Sequence, residues 1–145
     1  MYNELLIGAV SGGAAGAIIT FFAHIAPAFG AGNFIKDLDR PNIMGRELSR
    51  REAHLLGILV HLCLSILFGM GFGYAVSEQW FAGFNLVPLL IYSIIVTLVS
   101  GLAIMPWEGL GFFGRKHDSW FIIDTLLTNF GWALLVFLLA GLWTS

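Results

Sequence analysis

The sequence has few charged residues, and they are missing from long stretches of the chain. Only 11% of the 145 residues are charged and 58% are hydrophobic, whereas soluble domains average about 25% and about 45–50%. No Lys or Arg lies within four apolar runs at about 5–30, 53–76, 84–107 and 120–143. About 20 helical residues cross a bilayer, and each run is longer. The sequence therefore predicts one all-α domain over 1–145, an integral membrane four-helix bundle made of two tandem transmembrane hairpins.

Other scarcities exclude several classes of function. Cys63 is the only cysteine, so an internal disulfide cannot form. With a net charge of −2 and no basic surface interleaved with aromatic residues, we expect no nucleic-acid partner. The zinc-protease histidine spacings, the P-loop and the G-x-S-x-G motif are absent, so we expect neither a metal site nor enzymatic activity.

The seven basic residues occur in only two segments. The first segment holds Lys36, Arg40, Arg46, Arg50 and Arg51, and the second holds Arg115 and Lys116. Lys and Arg beside membrane helices stay on the cytoplasmic side, so the segments 31–52 and 114–119 are predicted to be cytoplasmic. We therefore expect a multi-pass protein of the inner (plasma) membrane with both termini outside. Because no basic residue precedes the first run, we expect that run to be retained rather than cleaved as a secretory signal.

A short motif occurs twice in the chain. The pattern P-x-x-G-x-G-x-F spans 27–34 and again 106–113, at the ends of the first and third runs. Proline restricts the backbone and glycine permits positive φ, so each copy predicts a structured turn where a helix leaves the membrane. The repeat indicates a duplication of the hairpin, and chance matching of small residues is the alternative.

Small residues recur at intervals of four in the first two runs. The first run carries Gly8, Gly12, Gly16, Thr20 and His24, and the second carries Gly57, His61, Ser65, Gly69 and Gly73. This spacing is typical of helices that pack closely in membranes. We therefore predict that the six glycines of these two series lie in helix contacts.

Five polar residues in the cytoplasmic half of the predicted bundle are candidates for function. Neutral imidazole ligates haem iron, so His24 and His61 are candidate ligands of a haem, and hydrogen bonding to a neighbouring helix is the alternative. Ionisable groups inside a membrane are costly, which makes Asp124, with Glu108 and Asn129, a candidate for proton or ion binding. Asp124 is expected about two turns inside the fourth helix.

The chain resembles the YagU-like family of small four-helix bacterial membrane proteins. The resemblance rests on the glycine-rich first helix that ends at Pro27 and Gly30, on HLCLSILFGMGFG at 61–73, and on AIMPWEGLGFFG at 103–114. It implies the four-helix architecture and transfers no catalytic residue. It also implies a second histidine at the start of the fourth helix, where this chain has Asn129.

These patterns favour a non-enzymatic membrane protein that associates with itself or serves as an accessory subunit of a membrane complex. Its expected partners are the lipid bilayer and other membrane helices. Two alternatives remain open at this point. One is a small proton- or ion-coupled transporter or channel, and the other is an electron-transfer subunit that binds haem or a pigment.

Overall fold

Four long helices make up the structure, a computed structural model that describes residues 2–25, 50–107, 109–116 and 119–144. The helices are α1 (Tyr2–Ile25), α2 (Arg50–Ser77), α3 (Leu86–Trp107) and α4 (Phe121–Thr144). All four are long and apolar enough to cross a membrane. The predicted all-α membrane bundle is therefore confirmed, and the protein is a multi-pass membrane protein.

The helix boundaries differ from the predicted ones by a few residues. α1 begins at Tyr2 instead of 5, α2 at Arg50 instead of 53, α3 at Leu86 instead of 84, and α4 at Phe121 instead of 120. α2 begins within the sequence S-x-x-E at 49–52, which has the spacing of a capping box. The described part of α1 ends at Ile25, and the rest of the first predicted run lies outside the described residues.

Going around the bundle, the helices follow the order α2, α1, α4, α3. α1 packs along α2, α4 packs against both α1 and α3, and α2 meets α3 through a few large side chains. Sequential helices thus form the hairpins α1/α2 and α3/α4. We call the end of the bundle with Tyr2, Thr144 and the connection 78–85 the termini end. The opposite end, which carries Arg50, Arg115 and Lys116, is called the basic end.

The core lies in the half of the bundle nearer the termini end. Phe72, Leu89 and Val136 are fully buried there, with Trp132 3% exposed. The Phe72 ring stacks on Phe81 with centroids 5.2 Å apart, and it meets the Tyr92 ring edge to face at 5.3 Å. Leu, Ile and Val side chains on the outside of the helices are exposed, as suits surfaces covered by lipid.

A tight turn follows α3 at the basic end. Ser100–Ile104 form a π-helical turn in which the Met105 N–H donates to the Ser100 carbonyl. The next donor in this register would be Pro106, which has no N–H, so the π turn lies where proline interrupts the helix. The chain then folds back until the Phe113 ring covers Gly101, at a distance that leaves no space for a Cβ there.

The second copy of the repeated motif forms this turn. Gly109, Gly111 and Gly114 have positive φ, and so does Phe113 at 55°. The Leu110 N–H donates to the Met105 carbonyl at 2.9 Å, and the Lys116 N–H donates to the Leu110 carbonyl at 3.1 Å. The first copy, at 27–34, lies outside the described residues, so the duplication stays a prediction.

Candidate functional site in the bundle core

α1 and α2 approach each other backbone to backbone. A Cβ on Gly12 would lie 2.5 Å from the Ser65 carbonyl oxygen and 2.9 Å from the Gly69 Cα. A Cβ on Gly8 would overlap the Gly69 carbonyl, and one on Gly73 would overlap the Glu4 carbonyl. These contacts require glycine, since any larger residue would separate the helices. The structure thus places these four glycines in the predicted helix contact.

The two remaining glycines of the predicted set lie nearer the basic end. The space beside Gly16 is filled by the Ser65 side chain of α2. Gly57 lies in α2 and is half-buried. Because Ser65 fills the space at Gly12 and Gly16, these glycines do not leave a gap into which a flat macrocycle would fit.

A chain of hydrogen bonds joins α3 to α4. The Asn129 side-chain amide donates to the Thr97 hydroxyl at 2.8 Å, and that hydroxyl donates to the Ser93 carbonyl at 2.8 Å. Ser93 and Thr97 are buried and Asn129 is half-buried. Asn129, a candidate for ion binding, therefore has a structural partner on the neighbouring helix.

Two further hydrogen bonds connect the hairpins and show which residues lie at the same depth. The Tyr92 hydroxyl of α3 donates to the Phe68 carbonyl of α2 at 3.0 Å. The Trp132 indole N–H of α4 donates to the Gly12 carbonyl of α1 at 3.2 Å. Neither Trp132 nor Tyr92 is among the residues predicted from the sequence to form the site. A signal was present, because an indole N–H or a phenol hydroxyl in the middle of an apolar run needs an acceptor nearby.

His61 lies on the face of α2 that points to the core. It precedes Ser65, Phe68 and Phe72 by four, seven and eleven residues, and these spacings follow one face of a helix. Phe68 is beside Tyr92, so His61 is at the level of Val99, about 3 Å beyond Thr97 at a rise of about 1.5 Å per residue. The structure therefore brings His61 to nearly the depth of the Thr97–Asn129 pair.

The imidazole of His61 is half-buried. Its Nε2 atom is fully buried and has no hydrogen-bond partner among the described residues. Such an atom is unusual, because buried polar groups almost always have a protein or water partner. The Ser11 hydroxyl, in a residue that is 1% exposed, is likewise buried without a hydrogen-bond partner among the described residues.

His24 is placed apart from His61. It lies in the last turn of α1, where only its backbone is described. The antiparallel register in which Gly12 meets Ser65 and Gly69, continued along α1, sets the His24 backbone opposite residues 53–57 of α2, about one to two helical turns from His61. Pairing of the two histidines stays a prediction.

The acidic candidate that the structure describes, Asp124, is near the basic end. Asp124 is the fourth residue of α4 instead of two turns inside it, which corrects its expected depth. A carboxylate in the first turn of a helix is stabilised by the helix dipole, which accounts for Asp124 without a bound ion. Five residues separate it from Asn129, so the two lie on different faces. Glu108 lies outside the described residues.

Within the described ranges, no group of three or more His, Cys, Asp or Glu residues could hold a metal ion. Cys63 is close to His61 in sequence but is exposed on another face of α2. No protein-family model, curated protein or solved structure matches the chain. The resemblance to YagU-like proteins stays a prediction.

Proposed function

We propose that this chain is a non-enzymatic structural protein of the plasma membrane that self-associates through the outer face of α4. The observation that carries the proposal is the environment of two glycines, Gly131 and Gly141. Both are exposed, and a Cβ on either would meet no atom within 4 Å. In membranes, small residues are enriched where helices contact each other closely.

The two glycines belong to a regular stripe on α4. Leu127, Gly131, Leu134, Leu138 and Gly141 are all exposed and follow each other at intervals of four, three, four and three. This is the heptad spacing of a left-handed helix pair, and the five positions cover an arc of about 80°. The stripe supports a helix contact made by this face.

A second copy of the chain is the partner that fits this stripe. All copies have the same orientation in a membrane, so a two-fold axis along the membrane normal sets α4 parallel to α4. Each position then meets its own equivalent, and Gly131 opposite Gly131 allows close approach. The distribution of basic residues supports an orientation with the basic end in the cytoplasm and both termini outside.

Disulfide cross-linking in native membranes tests this proposal. In a Cys63→Ser background, Leu134→Cys should form a dimer on mild oxidation. Ile91→Cys is the matched control, since Ile91 is exposed on α3 at nearly the same depth as Leu134 and should stay monomeric. Adding Gly131→Leu should abolish the Leu134→Cys dimer.

Equal cross-linking at both positions would show random collision and contradict the proposal. A Leu134→Cys adduct with a different protein would instead favour an accessory subunit of a larger complex. Failure of Gly131→Leu to reduce dimer formation would exclude the glycine stripe as the contact.

Proton- or ion-coupled transport is the second candidate, and the unpaired Nε2 of His61 favours it. In proteoliposomes containing a pH-sensitive dye, wild-type protein would then carry a proton flux that His61→Ala abolishes. A flux equal to that of empty vesicles would exclude this candidate. Haem binding through His61 would give the purified protein a Soret band that His61→Ala removes.

A further inference from the structure

The turn at 109–116 runs back along the end of α3. The Phe113 ring covers Gly101, which lies six residues, or about 9 Å, before the end of the helix at Trp107. α3 has 22 residues and is about 33 Å long, close to the hydrocarbon thickness of about 30 Å. Trp107 therefore lies near the membrane boundary, and the turn lies at the level of the lipid headgroups and the hydrocarbon next to them.

Large aromatic side chains are exposed around this turn. Phe112 is 63% exposed within it, and Trp107 and Trp120, which flank it in the chain, are 50% and 68% exposed. Tryptophan is enriched where hydrocarbon meets the lipid headgroups. Exposed Phe112 between two such residues favours contact of the turn with lipid over contact with water.

Two cations follow these aromatic residues. Arg115 and Lys116 are both exposed, and neither has an ion-pair partner among the described residues. The Arg115 N–H donates to the Phe112 carbonyl at 3.2 Å, and the Lys116 N–H donates to the Leu110 carbonyl at 3.1 Å. The stem of Lys116 packs beside Gly111. The folded turn thus fixes the backbone from which both charges extend.

We propose that this turn binds an anionic phospholipid in the leaflet at the basic end, with Arg115 and Lys116 on the headgroup phosphate and Phe112 against the acyl chains. A guanidinium group can donate two parallel hydrogen bonds to a phosphate, and an ammonium group adds a second positive charge. A zwitterionic lipid carries the same phosphate, but its own ammonium group cancels the charge, so the anionic lipid is favoured. The site does not depend on self-association through α4.

Lipid retained by the purified protein tests the site. The protein is reconstituted in vesicles of phosphatidylcholine with a small share of phosphatidylglycerol, extracted in mild detergent, and analysed for retained lipid by mass spectrometry. One cation at the headgroup layer raises the affinity for an anionic lipid about fivefold, so the retained lipid should be enriched in phosphatidylglycerol by at least about fivefold over the vesicle. Inorganic phosphate added to the buffer should not displace it, because the acyl chains contribute to binding.

Two double variants separate this site from general attraction to the basic end. Arg115→Gln with Lys116→Gln should lower the phosphatidylglycerol content of the retained lipid to that of the vesicle. Arg50→Gln with Arg51→Gln is the matched control, since it removes the same charge at the start of α2 and should preserve the enrichment. Arg115→Lys conserves the charge and should also retain it. Circular dichroism checks that each variant is folded.

A nitroxide label at Phe112→Cys, in a Cys63→Ser background, tests the depth of the turn independently of lipid type. Oxygen concentrates in hydrocarbon, whereas a nickel chelate stays in water. Relaxation of the label at 112 should be dominated by oxygen. The same label at Gln79→Cys, in the exposed connection at the termini end, is the control and should be relaxed mainly by the nickel chelate.

Several outcomes would overturn the proposal. Unchanged enrichment in Arg115→Gln with Lys116→Gln, or equal loss in both double variants, would show that the turn is not a lipid site. Displacement by inorganic phosphate would show that the two cations bind a free anion instead. Relaxation of the label at 112 mainly by the nickel chelate would place the turn in water. If the double variant fails to fold, the enrichment in Arg115→Gln alone decides, and an unchanged value contradicts the site.

Discussion

The two hairpins of this protein are held together by different contacts. In α1/α2 the backbones touch at Gly8, Gly12 and Gly69, and no side chain comes between them at these points. In α3/α4 the helices are joined by side chains, above all by the Asn129–Thr97 hydrogen bond. Lipid tails are as apolar as the helices, so membrane helices associate through close packing and hydrogen bonds. The α1/α2 hairpin relies chiefly on close packing, and the α3/α4 hairpin relies chiefly on a hydrogen bond.

The predicted duplication of the hairpin does not extend to the surroundings of equivalent residues. Aligning the hairpins sets Gly73 against Gly141 and His61 against Asn129. Gly73 touches the backbone of α1, whereas Gly141 faces open space on the outside of α4. Asn129 has a partner on the next helix, whereas the His61 Nε2 atom has none among the described residues. Equivalent positions in the sequence thus have different surroundings, because the second hairpin packs with different faces.

The largest effect should come from filling the α1/α2 contact. Gly69→Leu inserts a side chain where the Gly8 carbonyl and the Gly12 Cα already lie. Backbone atoms cannot rotate away, so the free energy of unfolding should fall by about 3 kcal/mol, at the upper end of overpacking effects. Unfolding in mixed micelles by added dodecyl sulfate, followed by circular dichroism, measures the change.

Gly131→Leu on α4 is the control for this substitution. Its side chain enters open space, so the change should stay within about 0.5 kcal/mol in monomeric detergent-solubilised protein. Equal destabilisation by the two substitutions would contradict the assignment of backbone contact to the first hairpin alone.

An intermediate effect should come from loosening the contact between the hairpins. Trp132→Phe removes the hydrogen bond to the Gly12 carbonyl and part of a buried ring. We expect a loss of about 1.5 kcal/mol, the sum of one membrane hydrogen bond and a small cavity. Tyr92→Phe removes only a hydroxyl and should cost about 0.6 kcal/mol. If Tyr92→Phe costs more stability than Trp132→Phe, the main contact between the hairpins is α2/α3 and not α1/α4.

The coupling between Asn129 and Thr97 should be as small as the effect of Tyr92→Phe. A double-mutant cycle with Asn129→Leu and Thr97→Val should give an interaction free energy of about 0.6 kcal/mol, the average for such bonds in membranes. The dodecyl sulfate unfolding of the four proteins measures it. A coupling of zero would mean that the second hairpin relies on packing alone.

Much of the candidate site was foreseeable from residue type and spacing. Glycines four residues apart predict a close helix contact, and His61 and Asn129 are conspicuous among apolar neighbours. The partner of each glycine was not foreseeable, since Gly131 and Gly141 are as apolar and small as Gly8 and Gly12. The depth of Asp124 was misjudged although the boundary moved by only one residue, because even a helix that begins at 120, as predicted, has Asp124 as its fifth residue, about one turn inside.

The sequence by itself determined that four helices cross the membrane, because the length and hydropathy of a run are local properties that need no partner. It also determined where proline interrupts the third helix, since Pro106 has no N–H to donate. Only the tertiary structure decided that Phe113 covers Gly101, that Asn129 bonds to Thr97, and that the Nε2 atom of His61 is left without a partner among the described residues. These outcomes depend on which helix faces meet, and in lipid that choice follows from the fit of surfaces rather than from hydrophobicity.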